Sequence, residues 1–531
     1  MKPKKTLLPA LVLLCGLTVA TAKAQEQLLD SLIEKADEHL EAWRAPEAAA
    51  ILSQIKGKDA GSAKVLDLRA QLAFYQGRYE ESLRLSEQAL AIDSADEHRQ
   101  ALRLLAQRTR DTVKDLKSYE SEHFILRLDE SKDGILVSLL LEGLEKTYHA
   151  IGKELSFYPQ EKVRVEIAPD VSAFNAISTL SLRDIEETGA VGICKFNKVM
   201  AISPRTLVHG FRWLDSVSHE YVHYAIVALS NNKAPIWLHE GIARFYETRW
   251  RKAKSPSGEE EYLTPSNQTL LARALEKNDF VSFEKMEPSL IYLETPEQVQ
   301  LAYAEAASAI DYISTRQGPG GVRKLLLELR EKPTPEAVQL VMGTPFDQFQ
   351  VKWQDFLKGK NLQEVEGSRV RKLKVKGTNE GEEESVDLKE IQSVVARNRT
   401  HLADRLWARG RIAAATAEYR RALHASPHSM IIMNKLGRVL TDNKRYQEAL
   451  PYLQKSQALD PDYVGTYVQL GRLYHATKQY PQAREALEEA IQINPFDPAI
   501  HTLLFQVYTA LGDSQRANGS KAILEKLLSR G

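Results

Sequence analysis

From about Arg397 to the end of the chain, small, apolar and polar positions return every 34 residues. Pro427, Pro461 and Pro495 are spaced by that interval, as are Gly437 and Gly471, Tyr446 and Tyr480, and Ala415, Ala449 and Ala483. Small residues at fixed places let two helices cross closely, large apolar residues fill the groove between them, and proline ends each unit. The pattern predicts stacked helix pairs over 391–531. A fainter copy lies near the N-terminus, where "LDLRAQLAFYQGRYEESLRLSEQALAID" puts Ala70, Tyr79 and Ala89 in the same relative positions. Residues 25–115 are therefore expected to form a short helical repeat region or a plain helical bundle.

Between these arrays the pattern changes. "HFILRLD" and "KVRVEIAP" alternate or run apolar as strands do, and a helical pattern from Ile135 to Leu155 separates them. "GAVGICKFNKVMAISP" predicts a further strand or hairpin broken by glycine and asparagine, and helical segments dominate after Asp215. A small sheet followed by helices is α+β logic, assigned to a domain over 118–360. The stretch 361–390, basic at "RKLKVK" and acidic at "EGEEE", reads as an exposed charged linker.

The 34-residue units resemble tetratricopeptide repeats. That resemblance implies a concave surface able to bind a peptide or helix of a protein partner.

Composition changes this picture little. A chain of 531 residues is too long for one core, and 43% hydrophobic with 27% charged residues is ordinary for a globular protein. The formal net charge is zero, so no global field points to nucleic acid or an anionic membrane. The first residues say more: Lys2, Lys4 and Lys5, an apolar run from Leu7 to Ala20, then Ala22-Lys23-Ala24. That is the layout of a secretory signal peptide over 1–24, with an apolar run too short to span a bilayer comfortably. An uncleaved anchor is the alternative, and Leu14 before Cys15 argues against lipoprotein processing. The expectation is an exported protein, periplasmic or secreted from a bacterium, with no membrane span after cleavage. Cys194 then remains as one cysteine, a buried thiol rather than half of a disulfide.

Chemistry concentrates in "LDSVSHEYVHYAIVALSNN". On a helix, His219 and His223 share a face and can reach one metal ion, while Glu220 stands where its carboxylate acts on water rather than on the metal. Asp215 or Ser216 is expected to cap this helix and Asn231-Asn232 to end it. Val217, Tyr221, Val222, Tyr224, Ala225, Ile226, Val227 and Leu229 leave it little polar surface, so the helix is expected to be buried. Burying two imidazoles and a carboxylate is costly without a partner such as a metal ion. Catalytic zinc takes three protein ligands, and Glu240 in "APIWLHEGIARFYE", with sixteen residues intervening after His223, is the third candidate.

These segments resemble a known family. Trp237-Leu238-x-Glu240-Gly241-x-Ala243 looks like the corresponding segment of aminopeptidase N-like gluzincins, and 118–360 is most similar to the peptidase MA-like family. The resemblance implies a gluzincin-type metallopeptidase fold, with Zn2+ held by His219, His223 and Glu240. It further implies Glu220 as general base and Tyr303, in "VQLAYAEAASAIDYISTRQG", as oxyanion donor; core packing is the other reading of Tyr303. His239 replaces the family's asparagine and is either a rival ligand or a local hydrogen-bond partner. Arg244 and Glu247 lie on the same helical face as Glu240, where they either orient that ligand or are surface charges. The family's glycine-methionine-glutamate-asparagine element has no counterpart, which counts against an aminopeptidase and favours an endopeptidase.

The expected function is an exported zinc metallopeptidase that hydrolyses peptide bonds of a peptide or protein substrate by glutamate-assisted attack of zinc-bound water, its repeats recruiting substrate or partner. The alternatives are a non-catalytic envelope scaffold with a relic peptidase domain, and a zinc hydrolase acting on cell-wall peptides.

Overall fold

A computed structural model describes residues 26–57, 59–183, 185, 190–251, 262–318, 320–370 and 383–529. The expected signal segment 1–24 and residues 371–382 of the charged stretch lie outside the described residues. Among the described residues, no helix is long and apolar enough to cross a membrane. The architecture is mostly helical, with one small mixed sheet.

The N-terminal region is helical throughout most of its described length. Its central pair, α1 (Ala63–Tyr75) and α2 (Tyr79–Ile92), buries Ala70, Tyr79 and Ala89. The sheet follows, with β1 (Lys117–Glu120), β2 (Phe124–Leu128), β3 (Val163–Ala168), β4 (Gly192–Lys195) and β5 (Lys198–Ile202) in spatial order β1-β2-β3-β5-β4. Strands β2, β3 and β5 are parallel, and the edge strands β1 and β4 run antiparallel to their neighbours. α3 (Val137–Leu155) connects β2 to β3. Phe196 and Asn197 both adopt positive φ, 58° and 57°, as a two-residue hairpin turn between β4 and β5 requires. β1 has no counterpart among the strands expected from sequence, because "KSYE" is almost wholly exposed and carries no alternation. It forms by pairing along β2.

Beyond the sheet lie α4 (Trp213–Ser230), α5 (Ile236–Tyr246) and the long α6 (Pro296–Gln317). α4 starts ahead of the expected cap. Arg212 holds the N-cap position without a side-chain cap. Asp215 is buried and committed elsewhere, accepting from Trp250 Nε1 at 2.9 Å and from Arg251. Asn231 ends the helix in the left-handed conformation, as expected. One continuous core joins α1 and α2 to the sheet and to α3–α6. At that junction Lys198 Nζ donates to Glu166 Oε2 at 2.6 Å and to Tyr79 Oη at 3.1 Å, with all three residues buried.

The C-terminal helices include α7 (Tyr446–Leu459), α8 (Val464–Ala476) and α9 (Tyr480–Ile493). The 34-residue period is a packing period. A Cβ on Gly437 would lie 2.5 Å from Leu453 Cδ2, and one on Gly471 would lie 2.6 Å from Leu487 Cδ2, the same contact one repeat later.

Candidate metal centre

α4 carries His219, Glu220 and His223, and α5 carries His239 and Glu240. His219, His223 and Glu240 each offer a donor atom, and those atoms all lie within 4.8 Å of one another. His219 Nε2 is 3.3 Å and His223 Nε2 3.7 Å from Glu240 Oε2. Ligands on a tetrahedral zinc at about 2.0–2.1 Å stand roughly 3.3–3.4 Å apart, so these spacings approach the edges of such a site. Two imidazoles and a carboxylate are also a donor set that zinc accepts, and the residues fit the ion.

The neighbouring groups hold those donors in place. Nδ1 of His219 donates to Glu247 Oε2 at 2.9 Å, which turns Nε2 toward Glu240. Arg244 in turn donates to Glu247 Oε1 at 2.8 Å. The pair therefore orients His219, not Glu240 as helical spacing suggests, because α5 presents its following turn to the α4 histidine. His239 Nδ1 lies 3.4 Å from His223 Nδ1 and is not one of the three converging donors.

Electrostatics follow from burial and charge. Burial, reinforced by Glu240, pushes the Glu220 carboxyl up to about 8, against opposing pulls from His219 and the Cys194 amide. Burial also lowers His223 to about 3 and His239 to about 4. Burial acts to lower His219 too, but its hydrogen bonds to Glu240 and Glu247 outweigh it and raise the imidazole to about 10. Glu240 moves the other way: burial would raise it, yet His223 and His219 hold it at about 2. The His219 proton thus occupies a carboxylate-rich site in which a divalent cation would take its place.

Glu220 is set apart from the donors. Its carboxylate accepts the backbone N–H of Cys194 in β4, and a Cβ on Gly192 would sit 2.7 Å from its Oε1. Glycine at 192 is what lets the edge strand pass this close. Cys194 has no disulfide, and burial, with the charge of Glu220, raises its thiol well above the ordinary range. Gly241 plays a similar part between helices: a Cβ there would lie 2.6 Å from Ala306 O. α6 therefore packs tightly on α5 and brings Tyr303 against Arg244, whose guanidinium is 5.7 Å from the ring centre. Tyr303 lines the same cavity as His219, Glu220 and Glu240, and the charge of Glu240, with burial, holds its hydroxyl protonated. Tyr312, further along the same helix, is buried among Phe349 and Phe356 instead.

The start of α4 carries a contact that no local motif signals. Arg212 donates to Asp462 at 2.7 Å, to Glu489 at 2.6 Å and to the Pro461 carbonyl at 2.9 Å, all in the C-terminal array. Trp213 Nε1 donates to the Ile491 carbonyl at 3.1 Å, and the Phe211 N–H to the Ile493 carbonyl at 3.0 Å. The repeats and the three converging donors consequently line one cavity of about 2160 Å³.

Tetratricopeptide-repeat family models match residues 401–464 and 440–507. Both matches lie within the C-terminal array, and neither reaches the metal centre. No curated protein matches the chain. Solved structures similar to it include a thermophilic TPR protein of Thermus thermophilus, at 26% identity over 25% of this chain and 73% of that one, with a TM-score of 0.24. A MamA protein shows 18% identity over 28% of this chain and 87% of its own, TM-score 0.23. The APC/C hetero-tetramer Cut9-Hcn1 shows 14% over 98% and 88%, TM-score 0.24. The C-terminal region is a tetratricopeptide-repeat array, an architecture that binds other proteins.

Proposed function

We propose that the central domain is a zinc metallopeptidase of the gluzincin kind, carried on an exported chain. The observation that supports it is the convergence of His219, His223 and Glu240, whose donor atoms all lie within 4.8 Å of one another, beside a carboxylate, Glu220, that is not one of the three. Zinc at those donors would supply a Lewis acid that polarises the scissile carbonyl and acidifies water.

The chain's own groups do the rest. Glu220, in its ionised form, takes a proton from the attacking water at its carboxylate oxygen and hands it to the leaving amine nitrogen; a cation at the three donors would favour that form against the burial that raises the carboxyl to about 8. Tyr303 donates its hydroxyl hydrogen to the carbonyl oxygen as negative charge grows there. Glu247 keeps the His219 ring in one orientation through Nδ1. Among the described residues β4 pairs with β5 alone, and the main-chain groups of its other edge, apart from the Cys194 N–H that Glu220 accepts, are ones against which a substrate strand aligns. No carboxylate stands on β4 to hold a free amino terminus, which favours internal cleavage.

The test is one preparation of the mature chain, assayed for zinc and for hydrolysis of casein and of cell-wall fragments, beside Glu220→Gln. About one zinc per chain in both proteins, with turnover lost by roughly 10²–10⁴-fold in the variant, is the expected result. Equal turnover in the variant would remove Glu220 from the reaction. Hydrolysis of cell-wall fragments alone would move the substrate to that class. Zinc-free, inactive protein would leave the repeat array, and its protein binding, as the function.

A further inference from the structure

We propose that the cleft takes an extended stretch of unfolded polypeptide, which runs from the free edge of β4 across the metal centre and onto the inner faces of α8 and α9. This rests on the peptidase reading and adds to it a substrate class and a second recognition wall, remote from the cleaved bond.

The first ground is continuity. One cavity of about 2160 Å³ is lined at once by β4, by the metal centre and by the C-terminal repeats. Small-molecule sites occupy about 300–1,000 Å³, so this space is sized for a polymer. The second ground is direction. Tyr467 and Glu489 both meet Arg212 at the start of α4. From there Leu470 and Tyr474 continue along α8, and Glu485 and Gln482 along the antiparallel α9, all lining the cavity. The spacings 467, 470, 474 and 482, 485, 489 each hold to one helical face. Seven residues of helix cover about 10 Å, the reach of roughly three residues of extended chain. The groove wall therefore leads from the start of α4 to the α8–α9 turn.

The third ground is access. The side chains of His219, His223 and Glu240 are 14%, 13% and 20% exposed, and Trp43 and Tyr75 of the N-terminal region line the same cavity. A folded domain presents a convex surface that such a cleft keeps away from its floor. An extended chain offers main-chain groups to β4 and side chains to the repeat wall together. The wall is fixed rather than tethered, since Arg212, Trp213 and Phe211 each hydrogen-bond to it. The repeats are thus part of the cleft, and not only a means of recruiting substrate to it.

The experiment uses the full mature chain loaded with zinc. A disulfide-containing protein is offered in its native and in its reduced, alkylated form, alongside a short fluorogenic peptide. A triple variant, Tyr474→Ala, Gln482→Ala and Glu485→Ala, and a single Glu485→Lys are compared with wild type, with melting temperature and zinc content as controls of folding. In parallel, Glu220→Gln protein, with and without the wall substitutions, is titrated with the fluorescein-labelled unfolded form. The expected result is cleavage of the unfolded form at least tenfold faster than of the native one. In the wall variants the ratio of kcat/KM for unfolded polypeptide over short peptide should fall about tenfold, and the Kd of the labelled polypeptide should rise by a similar factor. Equal cleavage of native and unfolded forms, or a ratio and Kd that ignore the wall, would overturn the proposal while leaving a peptidase. Wall-dependent binding with no hydrolysis of any substrate would overturn the peptidase reading and keep the polypeptide groove. Neither binding nor hydrolysis would remove both.

Discussion

Glu247 accepts a hydrogen bond from Nδ1 of His219 at 2.9 Å and, through its other oxygen, one from Arg244 at 2.8 Å. A carboxylate on the far nitrogen of an imidazole fixes the tautomer in which Nε2 is free to bind a metal, and makes that nitrogen more basic.

Glu247→Ala should therefore weaken zinc binding about 10–100-fold, as loss of such partners does elsewhere, while the fold is retained. Competition against a chromogenic chelator measures it directly. Arg244→Ala should have a smaller effect in the same direction, since it touches only the carboxylate. A zinc affinity unmoved by Glu247→Ala would mean that the contact does not serve the metal.

That relationship also marks where sequence reading stops. The four-residue step from His219 to His223 and the 34-residue period are legible because each is local: a helix turn in one case, a repeated Gly–Leu contact in the other. Strands β2 and β3 are legible from their apolar runs, whereas β1 is not, because its pairing with β2 and not its own residues makes it a strand. Glu247 immediately follows α5, but which side chain it meets depends on how α5 packs on α4. Asp215 fits a cap by composition and is instead drawn to Arg251 and Trp250, partners more than thirty residues away. Arg212 shows the limit most clearly, since its partners lie about 250 residues on and no periodicity links them.

The buried Lys198–Glu166 pair should leave a signature in acid. Burial would raise the Glu166 carboxyl, but Lys198 outweighs it and holds the group below its ordinary range. A carboxylate whose pKa is lower folded than unfolded contributes stability above the unfolded value, about 4.3, and loses it as pH falls toward the folded one. The melting temperature of wild type should thus fall more steeply between about pH 5 and 3 than that of a Glu166→Gln, Lys198→Met double variant, and identical slopes would refute the assignment. Glu166→Gln alone should cost about 3–5 kcal/mol in a denaturant titration near neutral pH, because it leaves a buried ammonium unpaired.

Arg212 sets the last expectation. Its guanidinium is 14% exposed, while Asp462 and Glu489 are 49% and 28% exposed, so solvent screens part of each pair. Removing it should cost about 2 kcal/mol rather than the sum of three charged hydrogen bonds. The location of the loss is more informative than its size. In Arg212→Ala, hydrogen exchange should quicken at the first turn of α4 and at the end of α9, with the interior of the repeat array unchanged. Arg212→Lys should recover only part of the protection, since a single ammonium cannot span two carboxylates and the Pro461 carbonyl as a planar guanidinium does. If exchange at α4 were the same in all three proteins, the array would be resting on α4 without bracing it, and the cleft would have a movable wall.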